Sequence, residues 1–451
     1  MTDSPAGGTP PRTWTVGTLT YTTTGLALLV VWLLWGDIAW WTRDRSAMPM
    51  MQVMLKLFDA SDLITGLLLI TVPSVIAMTL GPLISYWSDN HRSRYGRRIP
   101  FLLGTTPLIA LSMVGLGLSP ELAAILRQLL GWGPERTNTS VLIVLGICWT
   151  TFELGALTAN SIFAALINDV VPRVLIGRFF GVFRAVSLAV GIAFNSFVIG
   201  LAEQHFRIIF IAIGLFYGAG LTLMCFRVRE GDYPPVPPER AKASILTIYK
   251  TYLRECFTCR HYVLAIVFFA LGNLAYVPIN IYAVATAKSL GMSMETFGKI
   301  HVVMYLTSFV LAFPLGWLAD RFHPQRVSMG ALLCSSSAAL ISFFALKSAD
   351  DFFYAMLAHG VFSGCFFTGI ASFCQVIFPK LRCAQFIAAA WIVNSLMQII
   401  FGPAFGWFLD FTGNQYRYAF LAGSCIGAAA LAIGIFLLRS REPVEPAAHA
   451  A

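Results

Sequence analysis

Ser88-Asp89-Asn90-His91-Arg92-Ser93-Arg94-Tyr95-Gly96-Arg97-Arg98-Ile99-Pro100-Phe101 is the long polar, cationic interruption between two apolar runs in the first quarter of the chain. One run ends at Trp87 and the next begins at Pro100, so these residues form a short loop at a membrane face. Arg92, Arg94, Arg97 and Arg98 assign the face: short loops rich in Lys and Arg resist translocation, so the loop is expected in the cytoplasm. Asp89 closes one helix, Pro100 sits in the first turn of the next, and Gly96 permits the sharp reversal between them. An acid among arginines can latch helices in one state and release them in another. Asp89, Arg94, Gly96, Arg97 and Arg98 are therefore candidates for a cytoplasmic gate.

Composition agrees. The chain has 451 residues, 57% hydrophobic and only 12% charged, against about a quarter charged in soluble domains. Its mean hydropathy is +0.73. A crossing helix needs about 20 apolar residues. Twelve such runs are legible, at 19–41, 63–87, 101–119, 140–167, 178–201, 206–226, 262–286, 297–318, 327–347, 352–378, 384–409 and 416–438. The expectation is an all-α integral membrane protein of twelve helices in two six-helix halves.

With both termini inside, twenty of the 31 Lys and Arg residues fall in cytoplasmic segments, ten in outer ones, and Arg184 within a span. That bias supports the topology. It also explains the net charge of +9 through anionic lipid at the inner leaflet, with no need for a nucleic-acid partner. The first run lacks the flanks of a cleavable signal and is expected to serve as its own targeting signal. None of the nine cysteines falls in an expected outer loop. Cys256-Phe257-Thr258-Cys259 stands alone, weak support for metal or redox chemistry.

Divided this way, 1–18 is a tail, 19–226 the first half, 227–261 a linker, 262–438 the second half and 439–451 a tail. Pro234-Pro235-Val236-Pro237-Pro238 breaks the chain, and 243–259 reads as an amphipathic segment on the inner surface.

Glu153 is the most informative residue inside a span. It lies 13 residues after Ser140 and 16 before Asp169, about 20 Å and 24 Å from the two ends. A short carboxylate at that depth reaches neither interface, and an acid within the membrane is by default a functional candidate. Held away from water, it is suited to taking up and releasing a proton. Asp37, four residues before Trp41, is a second proton-coupling candidate or else a rim charge, with Trp40 and Trp41 expected in an outer aromatic belt. Arg184 either snorkels to the surface or serves as the counter-ion of Glu153.

Asp169, Arg178, Asp320 and Arg321 extend the cytoplasmic gate; Pro314-Leu315 before Asp320 and Arg321 echo Pro82-Leu83 before Asp89, as expected of a duplicated half. Asn160 follows Glu153 by two turns on the same face. Asn273, Tyr276 and Asn280 share one face of the seventh run, beside Pro278, and Trp391, Asn394, Ser395 and Gln398 share a face of the eleventh. Amides and a flat aromatic suit a sugar, which offers hydroxyls and an apolar ring face; such residues also hold helices together. Together with Trp35 these are the candidate substrate contacts. His301, Tyr305 and His359 are less favoured.

The opening stretch resembles the loop between the second and third helices of major facilitator transporters, in the form S-D-x-x-x-S-R-(F/Y)-G-R-R-x-P-F. That form is similar to the glycoside-pentoside-hexuronide:cation symporter group and, within it, the sucrose carriers. Ser88, Asp89, Ser93, Arg94, Tyr95, Gly96, Arg97, Arg98, Pro100 and Phe101 match. Ser85 stands where the group commonly has glycine. Ala164-Ala165-Leu166-Ile167-Asn168-Asp169-Val170 resembles the end of the carriers' fourth helix, about sixteen residues after an acid associated with proton coupling; the counted position here is Glu153.

The resemblance implies a proton-coupled symporter for a disaccharide or other glycoside, working by alternating access. No P-loop, H-E-x-x-H or nucleophile elbow is present, so an enzyme is not expected. The expected cofactor is none and the expected metal none. The proton is favoured as coupling ion, with sodium the other candidate. Expected partners are a small sugar and the bilayer, for a monomer in the inner membrane with both termini cytoplasmic. Two other readings stay open: an exporter of a non-sugar solute, and a non-transporting protein of the same fold that binds pigment or assists membrane-complex assembly.

Overall fold

The computed structural model describes residues 13–232, 256–379 and 383–440. The Pro-rich stretch at 234–238, most of the segment expected at 243–259 and both chain ends lie outside them, as do the side chains of Asp89 and Asp320.

Twelve helices follow one another: α1 Thr23–Leu57, α2 62–90, α3 Ile99–Gly117, α4 Thr137–Val170, α5 Arg173–Phe197 and α6 Ala202–Arg227, then α7 260–289, α8 Met294–Arg321, α9 Pro324–Ala345, α10 Ala349–Ile377, α11 Cys383–Phe411 and α12 Tyr418–Arg439. Among the described residues, eleven segments are long and apolar enough to cross a membrane; α8, 28 residues long, takes the eighth place. The protein is all-α apart from a hairpin of Trp14–Val16 and Leu19–Tyr21, which replaces the end of the expected tail. Thr18 Oγ1 accepts from the Asp232 N–H at 2.8 Å, so the hairpin docks on the residues after α6.

Local chemistry sets the helix ends. The Thr22 hydroxyl accepts from Gly25 N–H at 3.1 Å to start α1, and Ser61 does the same for Ile64 at the start of α2. These contacts satisfy amides that the first turn leaves unpaired. In α7 the ladder breaks around Pro278 into Arg260–Leu274, Val277–Ile281 and Ala283–Ser289, because proline carries no N–H to donate.

The first helix departs from expectation. It runs 35 residues, about 52 Å at 1.5 Å per residue, so the span expected at 19–41 continues sixteen residues further. Its centre is Trp40. Trp40 and Trp41 are therefore not an outer belt: Trp40 is buried and stacked on Phe163 of α4, ring centroids 4.9 Å apart. Arg43, Asp44 and Arg45 become mid-membrane residues rather than parts of an outer segment.

Within the first half, α1 packs on α5 and α6, and α3 on α4 and α6; within the second, α9 packs on α10 and α12, and α7 on α11 and α12. The two sets meet along α2 with α11, α5 with α8, and α1 with α7. Close approach of α2 and α11 depends on paired glycines. A Cβ on Gly66 would lie 2.2 Å from the Gly402 carbonyl oxygen, and one on Gly402 2.8 Å from that of Gly66.

Candidate functional site

The long α1 brings six charged side chains together at mid-membrane: Asp37, Arg43, Asp44 and Arg45 from α1, Glu153 from α4 and Arg184 from α5. Arg43 is only 2% exposed. Its guanidinium lies 4.5 Å from the Trp40 ring centroid, 5.4 Å from that of Tyr217 and 5.7 Å from that of Phe152. Three aromatic faces, each worth about 0.5–2 kcal/mol to a cation, replace the water it has lost. Asp44 Oδ1 is its carboxylate neighbour, at 3.6 Å.

Arg43 and Asp44 are the charges that act on the Glu153 carboxyl. Arg184 was the expected counter-ion of Glu153; Arg43 stands there instead. The sequence reading missed it because the first span was ended at Trp41. A usable signal was present: Ala47, Met50, Met51 and Met54 continue the helical spacing, and no glycine or asparagine intervenes before Leu57.

Asp37 is 1% exposed and lines a cavity of about 560 Å³ between α1, α4 and α5, with Asp44, Arg45, Asn160, Arg184 and Ser187. This is a cavity carboxylate rather than a rim charge. Arg45 donates to Ser187 Oγ from Nη2 at 2.6 Å and Nε at 3.2 Å. The Arg45 guanidinium also lies 5.3 Å from the Tyr305 ring of α8, spanning the two halves. Arg184 is exposed and lines a second cavity, of about 390 Å³, against α8 and α10.

A third cavity, of about 810 Å³, lies between α2, α4 and α11, lined by Ser74, Ser161, Trp391, Asn394, Ser395 and Gln398 among others. Trp391 is 51% exposed, its ring edge-on to Phe269. Gln398 Oε1 accepts from Ser74 Oγ at 2.9 Å across the halves. Asn394 Oδ1 is buried and has no hydrogen-bond partner. Asn160 and Ser161 are adjacent, so the first and third cavities meet around α4.

The α7 stripe divides. Asn280 is exposed and its Oδ1 lies 2.9 Å from His359 Nε2, while its carbonyl accepts from Gln52 Nε2 of α1 at 3.0 Å. Asn273 donates back to Phe269 O at 2.8 Å. Tyr276 is 1% exposed among Phe366, Phe367 and His359. Both hold helices together rather than face a cavity. Trp35 is also misplaced as a substrate contact: it lies edge-on to Phe216 of α6, on the exposed stripe of α1 with Leu28, Val31 and Ile38.

At the arginine loop, Arg97 grips Asp169 through Nη2–Oδ1 at 2.7 Å and Nε–Oδ2 at 3.1 Å. Arg98 adds Nε–Oδ2 at 3.2 Å and a bond from Nη1 to Ser88 Oγ. Glu230, which the sequence reading did not single out, accepts the backbone N–H groups of Arg97, Arg98 and Ile99 at 3.0, 2.8 and 2.7 Å. It caps the positive end of α3. Gly96, at φ +102°, lies against Glu230 where a Cβ would clash. Arg94 lies over Tyr95, and Arg178 and Arg321 are exposed. These described contacts join parts of one half and stiffen it; they do not bolt the halves together.

The opposite face carries a cross-half network. Asp410 of α11 accepts the N–H groups of Asp62 and Leu63 at 2.7 and 2.9 Å. Lys56 donates to Asp62 Oδ1 at 2.6 Å and to the Tyr416 hydroxyl, which in turn donates to Asp62 Oδ1 at 3.2 Å. Burial holds the Tyr416 phenol above its ordinary pKa, so it stays a donor. Lys288 pairs with Glu203 at 2.8 Å. Among the described residues, the polar contacts between halves run from mid-membrane to this face.

Two bundles facing each other across polar cavities define a class, the membrane transport folds built from two halves. The particular fold is the major facilitator fold. Residues 263–451 match the Major Facilitator Superfamily model. A bacterial homologue of the iron transporter ferroportin, inward-facing, is similar at TM-score 0.67 and 17% identity, covering 92% of this chain and 100% of that one. The same kind of protein, outward-facing, gives 0.58. The inward-open xylose transporter XylE from E. coli gives 0.63 at 13% identity, with coverage of 94% and 97%. A bacterial homologue of the human lysosomal transporter Spinster, inward-facing and occupied, gives 0.64 at 14%, with coverage of 94% and 98%. No curated protein matches the chain in sequence.

Proposed function

We propose that this protein is a secondary active transporter that couples movement of a glycoside, a disaccharide by size, to that of a proton by alternating access. The observation that carries the reading is the cavity between α2, α4 and α11. It presents amides, hydroxyls and an exposed tryptophan face, with Asn394 Oδ1 waiting for a donor. About 810 Å³ lies within the range of small-molecule sites, roughly 300–1,000 Å³. A sugar hydroxyl supplies the missing donor, and the Trp391 ring offers a flat surface for the sugar's apolar face.

Glu153 is the proton carrier in this scheme, beside Arg43. A charge change at that pair alters the packing of α4 on α1, the two helices that also wall the Asp37 cavity. With the α2–α11 face closed by Asp410, the bound solute communicates with the arginine-loop face, which the charge bias assigns to the cytoplasm. Each half then rocks as a unit, the first stiffened by Asp169 and Glu230.

The test is thermal stabilisation of the purified protein by a disaccharide panel. One disaccharide raises the Tm of the native chain, and Asn394→Ala and Trp391→Ala each weaken its Kd about tenfold, the equivalent of one lost hydrogen bond or stacking contact. No response to any sugar, or an equal response in both variants, overturns the assignment.

A further inference from the structure

Arg45 and Arg184 have chemistry that a neutral sugar does not use. Both line the cavity between α1, α4 and α5, and each feels the other's like charge. Arg184 forms no hydrogen bond or ion pair among the described residues, and Arg45 spends its donors on the neutral hydroxyl of Ser187. Of the two acids on the same cavity wall, Asp44 lies beside Arg43 at 3.6 Å. Asp37 forms no ion pair with either arginine.

A cation at mid-membrane is costly, and such residues normally pair or serve a substrate path. Two that converge on one cavity without a carboxylate partner repel each other until an anion arrives. The donor geometry suits one: guanidinium groups bind carboxylate and phosphate oxygens in a bidentate, charge-assisted way. Position supports the same conclusion. Arg184 borders both the α1/α4/α5 cavity and the α8/α10 cavity, so an anion held there touches both halves. Asn160 and Ser161 connect this site to the hydroxyl-reading cavity on the far side of α4.

We infer that Arg45 and Arg184 form an anion subsite, and that the transported glycoside carries one acidic group, a carboxylate or a phosphate, seated between them. This rests on the glycoside reading above and specifies its substrate class. Arg184 supplies the charge contact. Ser187 and Tyr305 orient Arg45.

The experiment measures Kd on the full-length protein in detergent for matched probes: a neutral disaccharide, its counterpart with one ring oxidised to the uronic acid, its 6-phosphate, inorganic phosphate, and a sugar-free carboxylate of similar size. These are compared in the native chain, Arg184→Gln and Arg184→Lys. One acidic glycoside is expected to bind about tenfold or more tighter than the neutral one, the worth of a charge-assisted contact. Arg184→Gln removes that preference and leaves neutral-sugar binding unchanged, and Arg184→Lys keeps part of it. The acid and phosphate arms separate the two anion sources.

If neutral and acidic forms bind equally, or Arg184→Gln leaves the preference intact, the anion subsite is wrong and the glycoside reading stands. If the sugar-free carboxylate or inorganic phosphate binds through Arg184 and no glycoside binds, the subsite stands and the glycoside reading falls. If no probe binds, both fall. Should Arg184→Gln fail to fold, the native comparison together with Arg184→Lys still decides.

Discussion

Asp410→Asn tests what holds the face opposite the arginine loop. The Asp410 carboxylate accepts two backbone N–H groups at the start of α2, at 2.7 and 2.9 Å, from residues nearly 350 positions away. Asparagine offers one carbonyl oxygen and turns an NH₂ against the second amide. A hydrogen bond to a charged group is worth about 1.5–3 kcal/mol, and opening lets water reclaim part of the loss. A net cost of about 2 kcal/mol to the closed state follows, or roughly 30-fold in the open-to-closed ratio. An open state populated at about 1% then rises to about a fifth of molecules.

Spin labels on Glu121→Cys and Lys347→Cys, both exposed on that face, report the change as an interspin distance distribution in a background with the nine cysteines replaced. The native chain gives one short distance, and Asp410→Asn adds a longer one. An unchanged distribution in Asp410→Asn refutes the assignment of this contact as a cross-half lock.

Three further outcomes follow from the geometry. Arg43→Gln removes a buried cation from beside Glu153 and lowers stability by about 3–5 kcal/mol, whereas the double variant Arg43→Gln/Glu153→Gln recovers much of it; additive losses in a denaturation series contradict the pairing. Glu230→Ala frees the three N–H groups at the start of α3 and costs about 1–2 kcal/mol, read as a lower Tm, with Glu230→Gln intermediate. Gly66→Ala places a Cβ 2.2 Å from a backbone carbonyl of α11 and enriches the long interspin distance; persistence of the short distance alone shows that the helices can part without opening that face.

Some of this was legible in the sequence because it is local. The arginine loop announced itself through charge density between two apolar runs, and counting residues from Ser140 and Asp169 was enough to put Glu153 deep in α4. The stripe of Trp391, Asn394, Ser395 and Gln398 followed from helical spacing, and those residues line one cavity.

What escaped was set by length and by long-range contact. Ending the first span after some 23 residues, a fair rule for an upright helix, moved Arg43, Asp44 and Arg45 out of the membrane and left Arg184 as the apparent partner of Glu153. Periodicity also assigns a face without saying what covers it, so Tyr276 and Trp35 looked like cavity residues while packing elsewhere. Asp62 with Asp410, and Glu230 with the start of α3, join distant parts of the chain, and nothing in the local pattern of either partner marks the other.

The central claim is that a sugar moves with a proton carried by Glu153. Its most direct test is uptake of a radiolabelled disaccharide panel, neutral and acidic, into proteoliposomes with and without an inward acid gradient, for the native chain and Glu153→Gln. The account predicts that the gradient accelerates uptake of one glycoside, and that Glu153→Gln loses the acceleration while still exchanging that glycoside across the bilayer. Uptake that ignores the gradient, or that Glu153→Gln leaves fully driven, contradicts it.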